Sequence, residues 1–504
     1  MKIDYINEIE NSNVYDVAQV TPITFLSKIS QKYENRILLK REDLQPIFSF
    51  KCRGAYNKIS NLSDDDKSSG IIAASAGNHA QGVALAASKL KISAVIVMPT
   101  TTPSIKIESV KKFGVKVMLY GDSFDEAYEH ALKISDKEER VFIHPFDDPL
   151  VIAGQGTVAK EIVEQTDENP EIFFIPVGGG GLISGMSIYL KNKYPNSKII
   201  GVESEDAPTL YTSMKNGKPT TLNQVGLFVD GCAVKRIGNE TFKISNKYVD
   251  DVVLVSIDET CAAIKDIYED TRIMSEPAGA LSVAGMKKFI LENDIKDKNI
   301  LVVNSGANLN FDRLRHVTER AEVGEGKELL LSVNIPEIAG SFRSFCEVIG
   351  KRSISEFNYR YASEKTANVF VGIKTDNISS DSEKIFKDLK INNYDYLDLT
   401  MDEVAKLHLR YMVGGKPSAD INEKLFRFEF PEKPGALLNF LNKMHKDWDI
   451  TLFHYRNHGS AFGRVLVGIN LGNYNKDDLQ NFLQDLGYKY SDETENKGYS
   501  SFLK

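Results

Sequence analysis

Lys51 stands in the run Ser49-Phe50-Lys51-Cys52-Arg53-Gly54-Ala55, an amine with aromatic residues before it and small ones after. An amine that forms a Schiff base with an aldehyde must be stripped of water and packed, so that it titrates near neutrality. The Phe48-Ser49-Phe50 approach and the small Gly54 and Ala55 suit that packing. A second run, Gly178-Gly179-Gly180-Gly181, follows an apolar strand pattern and precedes a helical one. Four glycines let the backbone curl until several N–H groups converge on one anion, reinforced by the helix N-terminus, and phosphate is the expected guest. The run is neither a Gly-x-Gly-x-x-Gly fingerprint nor a Gly-Lys-Ser/Thr loop, which argues against a nucleotide.

Two further strand-to-helix loops carry polar residues. Ser75-Ala76-Gly77-Asn78-His79-Ala80-Gln81-Gly82 offers backbone N–H groups that can grip a substrate carboxylate, and an Asn78 amide that can bond a phenolic ring oxygen. Asn304-Ser305-Gly306-Ala307-Asn308 offers Ser305 to a buried heteroatom. Taken singly, each feature has an ordinary alternative: a solvated lysine, a flexible turn, an N-capped helix with His79 and Gln81 in water, a cap serine.

The elements that must position these loops follow from periodicity. Apolar runs at 37–40, 70–74, 94–98, 115–120, 172–177, 198–203 and 300–304 predict buried strands, and residues 79–90, 104–113, 123–135, 151–165 and 182–193 have helical spacing. Alternation of this kind predicts an α/β fold of parallel sheets covered by helices, with ligands at the carboxyl ends of the strands. The glycine-rich loops fall at those ends.

Beyond a polar linker at 320–328 the chain repeats itself. Ile335-Pro336-Glu337-Ile338-Ala339-Gly340-Ser341-Phe342 is echoed by Phe430-Pro431-Glu432-Lys433-Pro434-Gly435-Ala436-Leu437, Phe357-Asn358-Tyr359-Arg360 by Phe453-His454-Tyr455-Arg456, and Val371-Gly372-Ile373 by Val467-Gly468-Ile469. The offsets of 95, 96 and 96 residues keep register across the unit. Each copy reads strand, turn, helix, strand, strand, helix, strand, an α+β sandwich with helices on one face. Such a pair beside an enzyme either binds an effector or forms a stable pseudo-symmetric body.

With 62 Lys+Arg against 70 Asp+Glu in 504 residues, the net charge of −8 argues against nucleic-acid or anionic-membrane partners. Cys52, Cys232, Cys261 and Cys346 are dispersed, which suggests neither a disulfide framework nor zinc and fits a reducing cytoplasm. Met1 to Glu10 lacks the apolar core of a signal peptide, and no run approaches the roughly 20 apolar residues of a membrane span.

In combination the motifs resemble the pyridoxal-phosphate enzymes of the tryptophan synthase β-subunit fold. Ser49-Phe50-Lys51 is similar to that family's cofactor lysine, Gly178 to Gly181 to its phosphate cup, the Asn78 loop to its asparagine loop, and Ser305 to its pyridine-nitrogen partner. Within it the chain most resembles biosynthetic threonine dehydratase (threonine ammonia-lyase), through Phe50-Lys51-Cys52-Arg53-Gly54-Ala55-Tyr56, residues 75–82, Glu276-Pro277-Ala278-Gly279-Ala280 and residues 305–311. The tandem repeats, with Phe357-Asn358-Tyr359-Arg360 and Tyr411-Met412-Val413-Gly414-Gly415, resemble its duplicated ACT-like regulatory region. Cys52 departs from the Leu or Ile more usual there.

The resemblance implies a catalytic domain at 1–322, built of two parallel-sheet subdomains, and ACT-like domains at 329–402 and 423–504. It implies that L-threonine displaces Lys51 from the cofactor and that the freed amine takes the Cα proton. The hydroxyl then leaves, with the phosphate held by the four glycines as proton donor, giving 2-oxobutanoate and ammonia. Ser75, Ala76, Gly77 and His79 become substrate contacts, and a neutral Ser305 favours elimination over transamination. Isoleucine would inhibit and valine counteract it through the repeats, where Phe345, Phe357, Tyr359 and Tyr455 are aromatic candidates that also suit a core. A cytoplasmic homo-oligomer is expected, a tetramer by resemblance to the family, while a dimer would satisfy the same sequence. No metal is expected, since the strand ending Gly201-Val202-Glu203 matches a relative's cation strand only loosely. Serine racemase or dehydratase, threonine synthase and cysteine synthase share most catalytic motifs, and the duplicated C-terminal region favours threonine. A regulatory sensor with a degenerate catalytic domain would lack one or more of Lys51, Asn78, the glycines or Ser305, and all are present.

Overall fold

The computed structural model describes residues 3–311, 313–338, 340–361, 365–375, 378–402, 405–406, 409–411, 423–431, 435–445, 448–456, 462–471 and 476–496. The motif residues Ala339, Met412, Val413, Gly414, Gly415, Glu432, Lys433 and Pro434 lie outside them. The chain divides into two compact units, Met1–Ala321 and Glu322–Lys504.

In the first unit a six-stranded sheet runs in the order Ile23–Phe25, Arg36–Arg41, Asn299–Asn304, Ile172–Pro176, Lys198–Ser204, Asp251–Val255. Only its first strand is antiparallel to its neighbour. A four-stranded parallel sheet follows the order Lys116–Leu119, Ala94–Met98, Ile71–Ala74, Val141–Phe142. Helices cover both, and strand residues such as Phe173, Phe174, Ile96 and Val97 are wholly buried. This is why the strands read as unbroken apolar runs instead of alternating ones. Adjacent parallel strands end at the same edge, so the loops after Ile172–Pro176 and Asn299–Asn304 are brought side by side.

The helix Pro149–Gln165 shows how local sequence sets boundaries. Asp148 accepts hydrogen bonds from the N–H groups of Leu150 and Val151, and Pro149 occupies the first turn, where a missing N–H costs nothing.

The second unit is an eight-stranded antiparallel sheet with two matching halves. Strands Glu328–Pro336, Ile354–Arg360, Thr366–Lys374 and Asp395–Asp398 correspond to Glu423–Pro431, Asp449–Arg456, Phe462–Asn470 and Lys489–Asp492. Helices Ser341–Ile349 and Ile378–Ile391 correspond to Ala436–Lys443 and Lys476–Leu486. The halves join where Ile354–Arg360 pairs with Asp449–Arg456, and they share one apolar core. Phe345, Phe357 and Tyr359 belong to that core, with Tyr455 packed against it.

Candidate active site

Lys51 begins the helix Lys51–Ser60, which packs on the helices Asn78–Leu90 and Pro149–Gln165. Gly54 is required by the second crossing, where a Cβ would lie 2.3 Å from Nε2 of Gln155 and 2.7 Å from the carbonyl of Val151. Behind the lysine, Arg53 is completely buried and donates to both oxygens of Glu42, at 2.8 Å each, and to Glu161 at 2.6 Å. Lys40 also donates to Glu161, at 2.6 Å. This buried network of four charges ties the first turn of the helix to the strand Arg36–Arg41 and the helix Pro149–Gln165. Burial costs each ion its hydration, and the pairing compensates only while every partner is present.

The Lys51 amine is itself buried, and that desolvation lowers its pKa from 10.5 to about 8. Its Nζ donates to the carbonyl of Pro145 at 3.0 Å. Lys51, Asn78, Ser305 and Gly178, Gly179, Gly180 and Gly181 line one pocket, together with Phe146, Cys232 and Glu276. The four sequence motifs that carried the cofactor reading therefore meet.

Three glycines of the run are sterically demanded and the fourth, Gly181, is tightly packed. A Cβ would lie 2.9 Å from Cα of Cys232 at Gly178, 2.2 Å from the Phe146 ring at Gly179 and 3.1 Å from Cβ of Phe146 at Gly181. Gly180 has φ of +90°, in the left-handed region, and its Cβ would meet Thr241 at 2.9 Å. The loop is packed, not loose. Its outer carbonyls are held: Thr209 donates to the oxygen of Gly178 at 3.3 Å and Thr241 to that of Gly179 at 2.8 Å. Among the described residues the N–H groups of Gly179, Gly180 and Gly181 have no protein acceptor. They stand at the start of the helix Gly181–Lys193, an arrangement that binds an anion.

The asparagine loop divides. Asn78 enters the pocket, and Gly77 precedes the helix Asn78–Leu90 without any side-chain cap, so the first-turn N–H groups stay available. Ser75 accepts from the N–H of Gly77 at 3.2 Å, and Ala76 is half-buried beside it. His79 and Gln81 are buried, which corrects the alternative that left both in water. The His79 ring bonds the carbonyl of Ile143 at 2.9 Å, and burial lowers its pKa to about 3. Its imidazole is therefore neutral and committed, and His79 offers a ligand only its backbone.

Ser305 is buried, and its carbonyl accepts from the N–H of Phe50 at 3.3 Å. A bridge between Ser49 and Gly306 fastens this loop to the approach to Lys51. Glu276, the first residue of the Glu276-Pro277-Ala278-Gly279-Ala280 motif, is buried in the pocket wall. Burial first, then the carboxylate of Asp230, raises its pKa to about 7. Glu203 is equally buried, but its carboxylate accepts from Thr209, Leu210 and Tyr211 at the start of the helix Thr209–Asn216. Among the described residues no group of three or more His, Cys, Asp or Glu could hold a metal.

The geometry thus joins an anion cradle, a dehydrated amine, an amide and a hydroxyl, the partners of a phosphorylated heteroaromatic aldehyde. Residues 14–306 match the family model described as "Pyridoxal-phosphate dependent enzyme". Residues 319–409 and 414–503 match "C-terminal regulatory domain of Threonine dehydratase". The biosynthetic L-threonine dehydratase of Pasteurella multocida is 50% identical over 503 residues, covering 99% of this chain and 97% of the relative. That of Escherichia coli strain K12 is 48% identical over 500 residues, with 99% and 97% covered. Among solved structures, the processed form of threonine deaminase isoform 2 from Solanum lycopersicum superposes with a TM-score of 0.62 at 48% identity, covering 63% of this chain and 92% of that one. The residues present fit pyridoxal phosphate, since the N–H groups of Gly179, Gly180 and Gly181 have no protein acceptor among the described residues and the amine beside them is deprotonated more readily than an ordinary lysine. The chain belongs to the biosynthetic threonine dehydratases, pyridoxal-phosphate-dependent enzymes of the tryptophan synthase β-subunit fold with a duplicated regulatory region.

Proposed function

We propose that this chain converts L-threonine to 2-oxobutanoate and ammonia, the first committed step of isoleucine synthesis, and that isoleucine inhibits it through domains at 329–402 and 423–504. What carries this reading is the convergence of Lys51, Asn78, the four glycines and Ser305 on one pocket. Relatives named as biosynthetic threonine dehydratases, matched over 99% of the chain, supply the substrate.

Pyridoxal phosphate, when bound, supplies an electron sink that acidifies the substrate Cα. Lys51 tethers the cofactor and, once freed, takes the Cα proton on Nζ. With its pKa near 8, about a tenth of the free amine is unprotonated at pH 7, against well under a thousandth for an ordinary lysine. The N–H groups of Gly179, Gly180 and Gly181 would hold the phosphate, Asn78 would hold the ring oxygen, and Ser305 would give the ring nitrogen a neutral partner. Ser75, Ala76, Gly77 and the backbone of His79 hold the substrate carboxylate at a helix N-terminus. Water leaves across the Cα–Cβ bond, and hydrolysis then restores one water and releases ammonia.

The catalytic domain spans 1–322 in this reading. Valine counteracts isoleucine at the repeats, and the enzyme works as a homotetramer in the cytoplasm. Among the described residues no helix is long and apolar enough to cross a membrane. The test is to mix purified protein with L-threonine or L-serine, with and without isoleucine, and follow the 2-oxo acid. Faster product from threonine, suppressed by isoleucine, is expected. No 2-oxo acid from threonine would overturn the activity, and indifference to isoleucine would overturn the regulation.

A further inference from the structure

Glu276 precedes the helix Pro277–Asn293 as its N-cap residue, yet its side chain makes no bond to that helix. Both of its oxygens reach across the pocket instead. Oε1 accepts from Nδ2 of Asn78 at 2.7 Å, and Oε2 accepts from the backbone N–H of Asn308 at 3.0 Å. Asn308 completes the ring: its Nδ2 donates to Oδ1 of Asn78 at 2.6 Å and to the carbonyl of Ile47 at 2.8 Å. Room for the carboxylate is made by Gly306, where a Cβ would lie 2.6 Å from Oε1.

An asparagine amide can present either its oxygen or its nitrogen, and its partners decide which. Here the carbonyl of Ile47 can only accept, which fixes the Asn308 amide nitrogen as the donor toward Asn78, and the Glu276 oxygen on the other side accepts. Asn78 is left with one orientation. Its Oδ1 is spent, one Nδ2 hydrogen is spent, and one Nδ2 hydrogen remains in the pocket it shares with Lys51 and Ser305. We propose that Glu276 is a positioning residue for the cofactor ring, acting through Asn78 and with Asn308 so that a hydrogen-bond donor always meets the ring oxygen. The proposal rests on the assignment of this pocket to pyridoxal phosphate.

The position requires two acceptors. Glutamine has one acceptor and one donor, so in either rotamer an N–H would face Nδ2 of Asn78 or the N–H of Asn308. Burial and the nearby Asp230 raise the carboxyl's pKa to about 7, and the two donors, with Lys106, work against that rise.

The experiment compares holoenzymes carrying Glu276→Gln, Asn308→Ala, Asn78→Ala and the Glu276→Gln/Asn78→Ala pair. It measures cofactor dissociation and the visible absorption of the bound cofactor. Glu276→Gln and Asn308→Ala should each weaken cofactor binding about tenfold, the size of one lost hydrogen bond, and displace the absorption band. In the Asn78→Ala background Glu276→Gln should add nothing, because its effect passes through the missing amide. An unchanged band and affinity in Glu276→Gln would overturn the proposal, as would an undiminished effect without Asn78. Should Glu276→Gln fail to fold, Asn308→Ala alone decides, since it frees Oδ1 of Asn78 and must displace the band. Failure of the pocket assignment looks different: the parent protein would show no cofactor band that Lys51→Ala removes, whatever stands at position 276.

Discussion

The Nζ of Lys51 donates to the carbonyl oxygen of Pro145 at 3.0 Å. Pro145 follows the strand Val141–Phe142 of the four-stranded sheet, whose core also takes Ala55, Tyr56 and Ile59 of the helix that Lys51 begins, so the amine rests on the backbone of its own subdomain. This carbonyl gives the amine a defined place when it is not bonded to an aldehyde, close to where it must act.

Lys51 should therefore react as a selectively basic lysine. The neutral amine is the nucleophile, and its pKa is lowered by burial from 10.5 to about 8. In cofactor-free protein, reductive labelling with pyridoxal should rise with pH and level off above about 8 at Lys51, while surface lysines keep gaining to beyond pH 10. Peptide mapping reads the difference, and parallel curves would contradict it. Lys51→Ala should lower the turnover of threonine by about a thousandfold or more in folded protein.

Gly179→Ala places a methyl group 2.2 Å from the Phe146 ring. Overpacking of this kind costs about 1–3 kcal/mol, and here it falls on the loop that holds the phosphate. Cofactor affinity should drop by about an order of magnitude or more in an absorbance titration. A variant that binds as the parent does would mean that the phosphate lies elsewhere.

Arg53→Ala should destabilise the fold by about 3–5 kcal/mol, because it strands Glu42 and Glu161 as buried, partly unpaired carboxylates. Urea denaturation of the cofactor-free protein measures this. A loss under 1 kcal/mol would show that water enters the network.

Ser305→Asp offers the ring nitrogen an anion in place of a hydroxyl. The nitrogen should then hold a proton, which stabilises negative charge at Cα and allows reactions other than elimination. Slower 2-oxobutanoate formation with new transamination or racemisation is the expected product pattern. Full elimination with no side product would refute the role given to Ser305.

Deletion of the residues after Glu328 should leave a cofactor-loaded enzyme that isoleucine no longer inhibits. The division of the chain at Ala321 and Glu322 makes the cut reasonable. Isoleucine titrations of both forms, followed by 2-oxo acid production, decide it, and retained inhibition would place the effector in the catalytic unit. Coupling of this type requires an effector that binds one conformational state more tightly than another.

Much of the catalytic unit was legible because parallel strands announce themselves. All seven strands expected from apolar runs are present to within one residue at each end, among them Ala94–Met98 and Lys198–Ser204. The short Ile23–Phe25 and Val141–Phe142 carried too little pattern to be noticed, whereas Asp251–Val255, apolar from Val252 to Val255, had the same signal as the others and was not among the expected strands. The helix that begins at Lys51 escaped for a different reason. Cys52 to Asn57 are all buried, the polar Arg53 and Asn57 among them, so polarity in the sequence does not mark the exposed face of the helix.

The site was legible in its backbone and less so in its side chains. Glycine runs and strand ends are local features, and they located the cradle. Glu276 meets Asn78 across 198 residues of sequence, and His79 meets the carbonyl of Ile143 across 64. No spacing rule reaches that far. The alternative that left the His79 ring in water consequently failed, because the ring is a sealed part of the core.

The central pairing of Ile354–Arg360 with Asp449–Arg456 has a consequence for how the regulatory unit can be divided. Either repeat taken alone would end in a naked strand, with a ladder of unpaired amides and carbonyls ready to recruit any other extended chain. Duplication supplies the missing neighbour from within the same polypeptide, at a local concentration no separate molecule could match. A break between the repeats would thus produce a sticky half and not a simpler sensor.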